Sequence, residues 1–410
     1  MRRAVLSLVA SVLILVLNFA TGIMVARLLG PEQRGLLAAA VSLCTMIAGI
    51  TSWSIADILA RHLAGQDRPR FDLLGPHTVL VLSGTAVGLA SVILLNWSGF
   101  LILPDTAPLI FGGLILIIPF LHISQTAMGV LQGTDSWMAW NLVRISPHLV
   151  YFLFLVPLYL FKAPLHWVAL VYGLSNIAPV VLGGTFAARK ELTLRRTMPA
   201  EILETAGEVL RIHGGRVLQM ARQNLDRILI PLVFGPTVLG YYVVAVTLAA
   251  PLYAAATTLT SIYIPRITTE AFKGNLNMRR RTLIEVMGLI LFGTISAGLY
   301  AWMSTPLVTL LFGQDYELAQ KFLPFTILII AGYCVTKLLE AYMIALNHTR
   351  FVLVAEILPV ASIFVGLLVF PSNFSDFLLF LCAASWIVVA IYLSYFIIVL
   401  RPVLFLDEKS

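Results

Sequence analysis

Apolar residues fill this chain in long continuous runs, not in the alternating or one-sided patterns of a soluble fold. A run of about 20 apolar residues spans a bilayer as an α-helix, and the sequence contains twelve such runs. They lie at 4–27, 36–60, 77–97, 107–131, 142–161, 165–188, 209–234, 237–264, 283–312, 322–346, 351–370 and 375–400. The pattern therefore predicts an all-α polytopic membrane protein of about 12 transmembrane helices.

Composition agrees with this prediction. The 410 residues are 60% apolar and only 11% charged, with a mean hydropathy of +0.95, whereas soluble domains contain about 25% charged residues. The predicted helices leave no room for a soluble catalytic domain, so we do not expect an enzyme. The sequence contains neither a Gly-x-x-x-x-Gly-Lys-Ser/Thr nor a His-Glu-x-x-His motif, so neither a nucleotide nor a metal cofactor is expected.

Basic residues predict the orientation. With the N-terminus inside, 18 of the 27 Lys and Arg residues fall in cytoplasmic segments, Arg144 among them, and four fall outside. Cytoplasmic loops are enriched in Lys and Arg, so both termini are predicted to lie in the cytoplasm. The net charge of +7 then reflects topology and attraction to anionic membrane lipids, and no nucleic-acid partner is expected.

The seventh predicted helix, 209–234, carries an unusual polar stripe. At about 100° per residue, six side chains fall within about 120° of one another: His213, Arg216, Gln219, Met220, Gln223 and Arg227. An arginine at mid-membrane costs about 2.5–3.5 kcal/mol, so this face is expected to line a hydrated cavity and to bind an anion. We take Arg216 as the main binding residue, with Arg227 nearer the outer mouth.

Two alternatives apply to this helix. Arg227 could extend to the outer membrane interface, and Arg222 could pair with Asp226 four residues later. Asp226 is also a candidate gating residue.

The chain contains an internal repeat. The motif Leu/Phe-Gly-Pro-x-x-x-Gly occurs at 29–35 and again at 234–240, 205 residues later. A second pair, at 131–135 and 346–350, is separated by 215 residues. These pairs predict two parallel six-helix bundles around a central cavity, comprising an N-terminal lobe at 1–188, a linker at 189–208 and a C-terminal lobe at 209–410. Alternatively, Gly-Pro marks only tight turns.

These motifs carry a family resemblance. It rests on four stretches: Val25–Glu32 followed by Gly35-Leu36, Asn224–Gly240, Ile264-Pro265-Arg266, and Leu311–Tyr316. Together they resemble the polysaccharide flippases of the multidrug/oligosaccharidyl-lipid/polysaccharide exporter superfamily. The resemblance implies two six-helix lobes with alternating access, and a cargo of oligosaccharide linked to undecaprenyl diphosphate, as for O-antigen units.

The tenth predicted helix offers an ion pair. Lys337 and Glu340 share a face with Tyr333 and Asn347. The pair either neutralises itself or opens when an anion or proton arrives, with Lys337 contacting substrate and Glu340 as the coupling carboxylate. Glu285 and Glu356 lie in apolar runs with no partner evident from the sequence.

Further polar candidates lie on the first five predicted helices. Asn18 shares a stripe with small and hydroxyl residues of helix one, which indicates either close helix packing or sugar contacts. Asp57 and Arg61, at i,i+4, form either a gate or an interfacial pair. Gln125 and Asn141 are further candidates for contacts with sugar hydroxyls.

The leading hypothesis is a flippase in the bacterial inner membrane for a polyprenyl-diphosphate-linked oligosaccharide. Transport could use an H⁺ or Na⁺ gradient or downhill flux, and a glycan polymerase is a candidate partner. The main alternative is a multidrug/cation antiporter, which should carry a carboxylate-rich cavity. A membrane glycosyltransferase or ligase is a third alternative, but the predicted outer loops are too short for one.

Overall fold

The computed structural model describes residues 2–64, 70–72, 75–98, 107–189, 191–193, 198–272 and 278–399. Within these ranges the chain forms fifteen α-helices and two short strands. The helices are α1 (Arg2–Thr51), α2 (Ile55–Ala64), α3 (Pro76–Trp97), α4 (Ala107–Leu114), α5 (Ile117–Gly133), α6 (Trp137–Leu160), α7 (Leu165–Ser175), α8 (Ile177–Ala187), α9 (Pro199–Phe234), α10 (Pro236–Phe272), α11 (Met278–Phe312), α12 (Ala319–Ala345), α13 (Thr349–Ala355), α14 (Ile357–Val369) and α15 (Phe374–Val399). The strands are β1 (Arg70–Asp72) and β2 (Glu191–Thr193).

The predicted fold class is confirmed: the protein is a multi-pass, helical membrane protein. The described residues contain ten segments long and apolar enough to cross a membrane. One of them, Leu6–Thr51, has 46 residues, which is enough for two crossings of about 20 residues each. It contains a break at Gly30. The polar helix α9 is not among the ten.

The chain divides into two compact units, Met1–Leu232 and Val233–Ser410. The sequence-based division instead began the second lobe at residue 209. In the structure residues 209–232 belong to the first unit, because α9 packs on α1. Ile228 joins a buried cluster with Leu43, Ile47, Ala48, Val92 and Ile118.

Each unit has its own apolar core. In the first unit, buried side chains of α1, α4, α6 and α7 form one cluster around Cys44, Leu114, Leu155 and Val168. In the second unit, α12 and α15 supply most of a cluster that includes Leu339 and Phe396.

The matched glycines share a backbone conformation. Gly30 has φ 72° and precedes Pro31, and Gly235 has φ 85° and precedes Pro236. Positive φ favours glycine because it has no Cβ, which explains why both repeats of the motif keep Gly before Pro.

The second repeat lies at a different offset from the one that the sequence indicated. The end of α5 and the end of α12 form the same turn: Ser136 N donates to Leu131 O and His348 N donates to Met343 O, both at 2.8 Å. The preceding residues, Asp135 (φ 59°) and Asn347 (φ 65°), are both left-handed. The equivalent positions are therefore 212 residues apart, not 215.

This register aligns Arg144 with Glu356. Arg144 is the seventh residue after the start of α6, and Glu356 is the seventh after the start of α13.

The two strands pair in parallel, with Arg70 opposite Glu191. This pairing joins the loop after α2 to the segment before α9, and nothing in the apolar pattern indicated it.

Candidate functional site

Helix α9 carries the predicted anion-binding stripe, and five of its six residues are at least partly accessible. Arg216 is half-buried, and its Nη1 donates to Gln219 Oε1 at 3.4 Å. Gln223 is exposed, and Arg227 is half-buried. Neither arginine forms an ion pair with any residue the structure describes. Among the described residues, the guanidinium groups of Arg216 and Arg227 therefore have no carboxylate within ion-pair distance.

Near the end of the stripe, Asp226 accepts a hydrogen bond from the backbone N–H of Arg227 at 2.8 Å. The Nε of Arg227 is buried and has no hydrogen-bond partner among the described residues.

The other two stripe residues pack against the first unit instead of facing open space. His213 is buried; its Nδ1 lies 3.1 Å from Ser54 Oγ, and its ring centroid lies 5.5 Å from that of Trp53. Met220 covers Gly49, where an added Cβ would lie 2.5 Å from the Met220 Sδ. His213 is thus engaged in holding α9 against α1 and α2, a role the sequence did not predict.

These contacts lie at a break between α1 and α2. The sequence predicted one helix over 36–60, but Trp53 and Ser54 have φ values of 53° and 49°. Irregular backbone at membrane depth is tolerated where it is buried in protein or lines a cavity. Here Thr51, Ser52 and Ser54 are buried.

Buried polar side chains satisfy the carbonyls near this break. His122 of α5 has its Nε2 2.9 Å from Ala48 O and its Nδ1 2.8 Å from Thr85 Oγ1. Helix α3 approaches closely because it has glycine at 84, where an added Cβ would lie 2.0 Å from Thr51 O. The four residues at 51–54 contain neither Gly nor Pro, so no breaker residue indicated the interruption; the cluster of hydroxyl residues was the available signal.

The predicted gate on α2 does not form as an ion pair. Asp57 and Arg61 are both exposed, and within the described part of the chain neither forms an ion pair. Instead His62 Nε2 lies 2.8 Å from Glu208 Oε2, which links α2 to α9. The i,i+4 spacing allowed the Asp57–Arg61 contact, but both side chains remain in open space.

Helices α1 and α6 are joined by a ladder of polar contacts. Asn18 Oδ1 lies 2.8 Å from His148 Nδ1, and Asn141 Nδ2 donates to Ser7 Oγ at 3.2 Å. Arg144 Nη2 donates to Ser11 Oγ at 3.4 Å. The helix-one stripe therefore makes packing contacts, the first of the two interpretations. Arg144, which the sequence placed near the start of the predicted helix 142–161, lies two turns inside α6, because that helix begins earlier, at Trp137.

The second unit contains a compact charged cluster. Lys337 Nζ pairs with Glu340 Oε2 and lies 3.7 Å from Glu356 Oε1, and all three side chains are at most 19% exposed. Lys337 also lies 5.6 Å from the ring centroid of Tyr333, a favourable cation–π geometry. The predicted Lys337–Glu340 pair is present. Glu356, for which the sequence offered no partner, is the third member.

Glu285 also has a partner that the sequence did not indicate. It accepts a hydrogen bond from the Tyr342 hydroxyl at 2.7 Å. Among the described residues no group of three or more His, Cys, Asp or Glu is arranged to hold a metal ion.

Comparison with known proteins identifies the family. Residues 1–270 match the sequence profile of a family described as "Polysaccharide biosynthesis protein". The chain belongs to this family. No curated protein sequence matches the chain.

Solved structures share the fold of this polysaccharide biosynthesis protein. The lipid II flippase MurJ in an inward closed conformation is 12% identical, covers 96% of this chain and 87% of its own, and has a TM-score of 0.70. A multidrug resistance MATE family transporter of the MOP superfamily, inward-facing, is 13% identical, with 99% of each chain covered and a TM-score of 0.69. A Vibrio cholerae MATE transporter is 12% identical, covers 98% of this chain and 96% of its own, and has a TM-score of 0.64.

These matches confirm the resemblance seen in the sequence. They place this polysaccharide biosynthesis protein in a fold shared by transporters of the multidrug/oligosaccharidyl-lipid/polysaccharide exporter superfamily. At these identities the likeness concerns the fold and leaves the cargo to be argued from the residues.

Proposed function

We propose that this protein is a flippase that moves a polyprenyl-diphosphate-linked oligosaccharide to the outer leaflet of the inner membrane by alternating access. The observation that carries the proposal is the pair of half-buried arginines on α9, neither of them ion-paired within the described residues. A guanidinium fork binds phosphate through two parallel charge-assisted bonds. Membership in a polysaccharide biosynthesis family supports a glycan cargo.

The roles of the stripe residues follow from their positions. Arg216 is the primary diphosphate-binding residue, and Gln219, at 3.4 Å, orients its guanidinium. Gln223, which is exposed, is available to sugar hydroxyls. Arg227 acts as a second station further along α9. His213, which is engaged with Ser54, positions the helix.

The test is export in cells lacking the gene. Surface glycan and the stalled lipid-linked intermediate are measured after complementation with the wild type, Arg216→Ala, Arg216→Lys or Arg350→Ala. Arg350 is exposed and serves as a control for the loss of one arginine. We expect Arg216→Ala to abolish export with unchanged protein in the membrane, Arg216→Lys to restore part of it, and Arg350→Ala to behave as wild type. Full export by Arg216→Ala would contradict the proposal.

The charged cluster of the second unit suits proton coupling. One lysine faces two carboxylates, so the cluster carries a formal charge of −1 when all three are ionised, and a proton would neutralise it. We assign Glu340 as the coupling residue. With Glu340→Gln, export should lose its dependence on the proton gradient, as measured with and without a protonophore. Continued dependence on the gradient would exclude this role.

A multidrug/cation antiporter is the second candidate, favoured by the excess of carboxylate in this cluster and by the MATE structures. Resistance to a cationic dye distinguishes the two. A deletion strain that becomes dye-sensitive but keeps its surface glycan would favour the antiporter.

A further inference from the structure

Arg144 lies inside α6, and no described residue provides a counter-charge for it. It is seven residues from the start of the helix, about 10 Å along the axis at 1.5 Å per residue. No carboxylate of a described residue forms an ion pair with it. Its two hydrogen-bond acceptors, Asn141 Oδ1 at 3.3 Å and Ser11 Oγ at 3.4 Å, are both neutral. An ionisable residue in this position indicates a functional site.

The surroundings fix the guanidinium in one orientation. Asn141 donates its amide N–H to Ser7 Oγ at 3.2 Å and Trp137 O at 2.9 Å, which turns its Oδ1 toward Arg144. The Trp140 ring lies beneath the guanidinium at 4.5 Å from its centroid. Two of the five N–H donors are therefore used, and the others remain for a ligand.

The arginine is not placed on the lipid-facing side of α6. Six large apolar residues of this helix are exposed, and at about 100° per residue all but Phe154 lie within about 60° of one another: Met138, Leu142, Leu149, Leu153, Phe154 and Leu160. Arg144 lies about 150° from the centre of that arc. Its charge therefore faces the interior side of α6, where it contacts α1.

The repeat provides an internal reference for this position. Its equivalent in the second unit is Glu356, whose charge is compensated by Lys337 at 3.7 Å. A charge that serves only the fold is expected to be compensated in this way, because an isolated charge in the membrane is costly. Among the residues that the structure describes, none provides such compensation for Arg144.

We propose that Arg144, oriented by Asn141 and Ser11, binds the phosphate of a lipid. Its fork presents fixed donors of the kind that bind phosphate in a bidentate manner, and the Ser11 hydroxyl adds a further donor. If the cargo is a polyprenyl diphosphate, an identification that rests on the proposed function, Arg144 is an additional binding station separate from Arg216. Phosphate binding itself does not depend on that identification.

The experiment uses the purified full-length protein in nanodiscs, with undecaprenyl diphosphate and phosphatidylglycerol as separate probes. Binding is measured by native mass spectrometry for the wild type, Arg144→Gln, Arg144→Lys and Arg350→Gln, each also in an Arg216→Ala background. We expect Arg144→Gln to lower the affinity for undecaprenyl diphosphate about tenfold or more. Arg144→Lys should lose less, and Arg350→Gln should match the wild type.

The two probes separate the sources of the phosphate. Loss of undecaprenyl diphosphate binding assigns the site to the cargo. Loss of phosphatidylglycerol binding alone supports the phosphate site but assigns it to a bulk lipid. Unchanged binding of both probes in folded Arg144→Gln, shown to be folded by its unfolding curve, overturns the proposal. The Arg216→Ala background separates this site from the α9 site of the proposed function. An effect of Arg144→Gln on binding that persists in this background belongs to the Arg144 site.

Discussion

A charged residue occupies the same position in the equivalent segments of the two units, but its contacts differ between them. In the second unit Glu356 belongs to a cluster with Lys337 and Glu340, and the contacts among them span two helical segments, α12 and the α13–α14 junction. In the described part of the first unit, Arg144 donates hydrogen bonds to two neutral oxygens and packs on one aromatic ring. The repeat thus conserves the location of a charge while changing its sign and its compensation.

The second helix of each unit also differs. In the first unit it is interrupted at 51–54, with Trp53 and Ser54 in left-handed conformations. In the second unit α10 runs without a break through 256–259, the segment 205 residues later. Within the described residues, the first unit thus combines arginines that form no ion pair with irregular backbone, whereas the second combines a continuous helix with a cluster in which one lysine contacts two carboxylates. Our proposal accordingly assigns anion binding to the first unit and coupling to the second.

The largest effect expected from this comparison is on stability. Removing one partner from a buried ion pair costs about 3–5 kcal/mol, so Lys337→Met should lower the free energy of unfolding by about that amount. Arg144→Met should leave it unchanged or raise it, since it removes an uncompensated charge without stranding a carboxylate. Chemical unfolding of both variants in the same detergent measures the difference.

The control for this prediction is the double variant Lys337→Met with Glu340→Gln, which should recover part of the lost stability because it removes one of the two carboxylates that lose their contact with Lys337. An Arg144→Met variant as unstable as Lys337→Met would show that the two charges play the same structural part, and the contrast between the units would disappear.

A second, smaller effect concerns the helix break. Gly84→Ala places a Cβ 2.0 Å from Thr51 O, and overpacking of this kind costs about 1–3 kcal/mol. Gly184→Ala on α8 is the matched control, since nothing lies within 4 Å of its added Cβ. That variant should be neutral or slightly stabilised, because Ala exceeds Gly in helix propensity by about 1 kcal/mol. Equal unfolding curves for the two variants would mean that α3 does not constrain the break.

The sequence predicted the membrane helices well because a bilayer imposes one simple rule, about 20 apolar residues per crossing. The Gly-Pro turns could also be predicted, because each is marked by a short motif of adjacent residues. The helix break at 51–54 was not visible, because distant side chains such as His122 satisfy the carbonyls there. The Lys337–Glu340 pair followed from local spacing, whereas Glu356 joins it from another helix, which spacing cannot reveal.

The sequence placed Arg144 close to the start of a helix predicted at 142–161, whereas α6 begins at Trp137. The neighbours of Arg144 in the sequence are of mixed polarity, and the start of α6 is set by the left-handed turn at Asp135 instead of by hydropathy. The repeat was detected but placed three residues out of register, because short similar sequences matched better than the turns that are equivalent in space.

The smallest expected effect is the coupling energy between two residues that have the i,i+4 spacing of a salt bridge but do not form one. Asp57 and Arg61 have the i,i+4 spacing of a salt bridge but are exposed and make no ion pair in the described part of the chain. A double-mutant cycle with Asp57→Asn and Arg61→Gln should therefore give a coupling energy below about 0.5 kcal/mol. The Lys337–Glu340 pair, measured in the same way, should give a clearly larger value because both side chains are largely buried. A large Asp57–Arg61 coupling would instead indicate that the two residues meet in another state of the transport cycle, and the gate predicted from the sequence would then apply to that state.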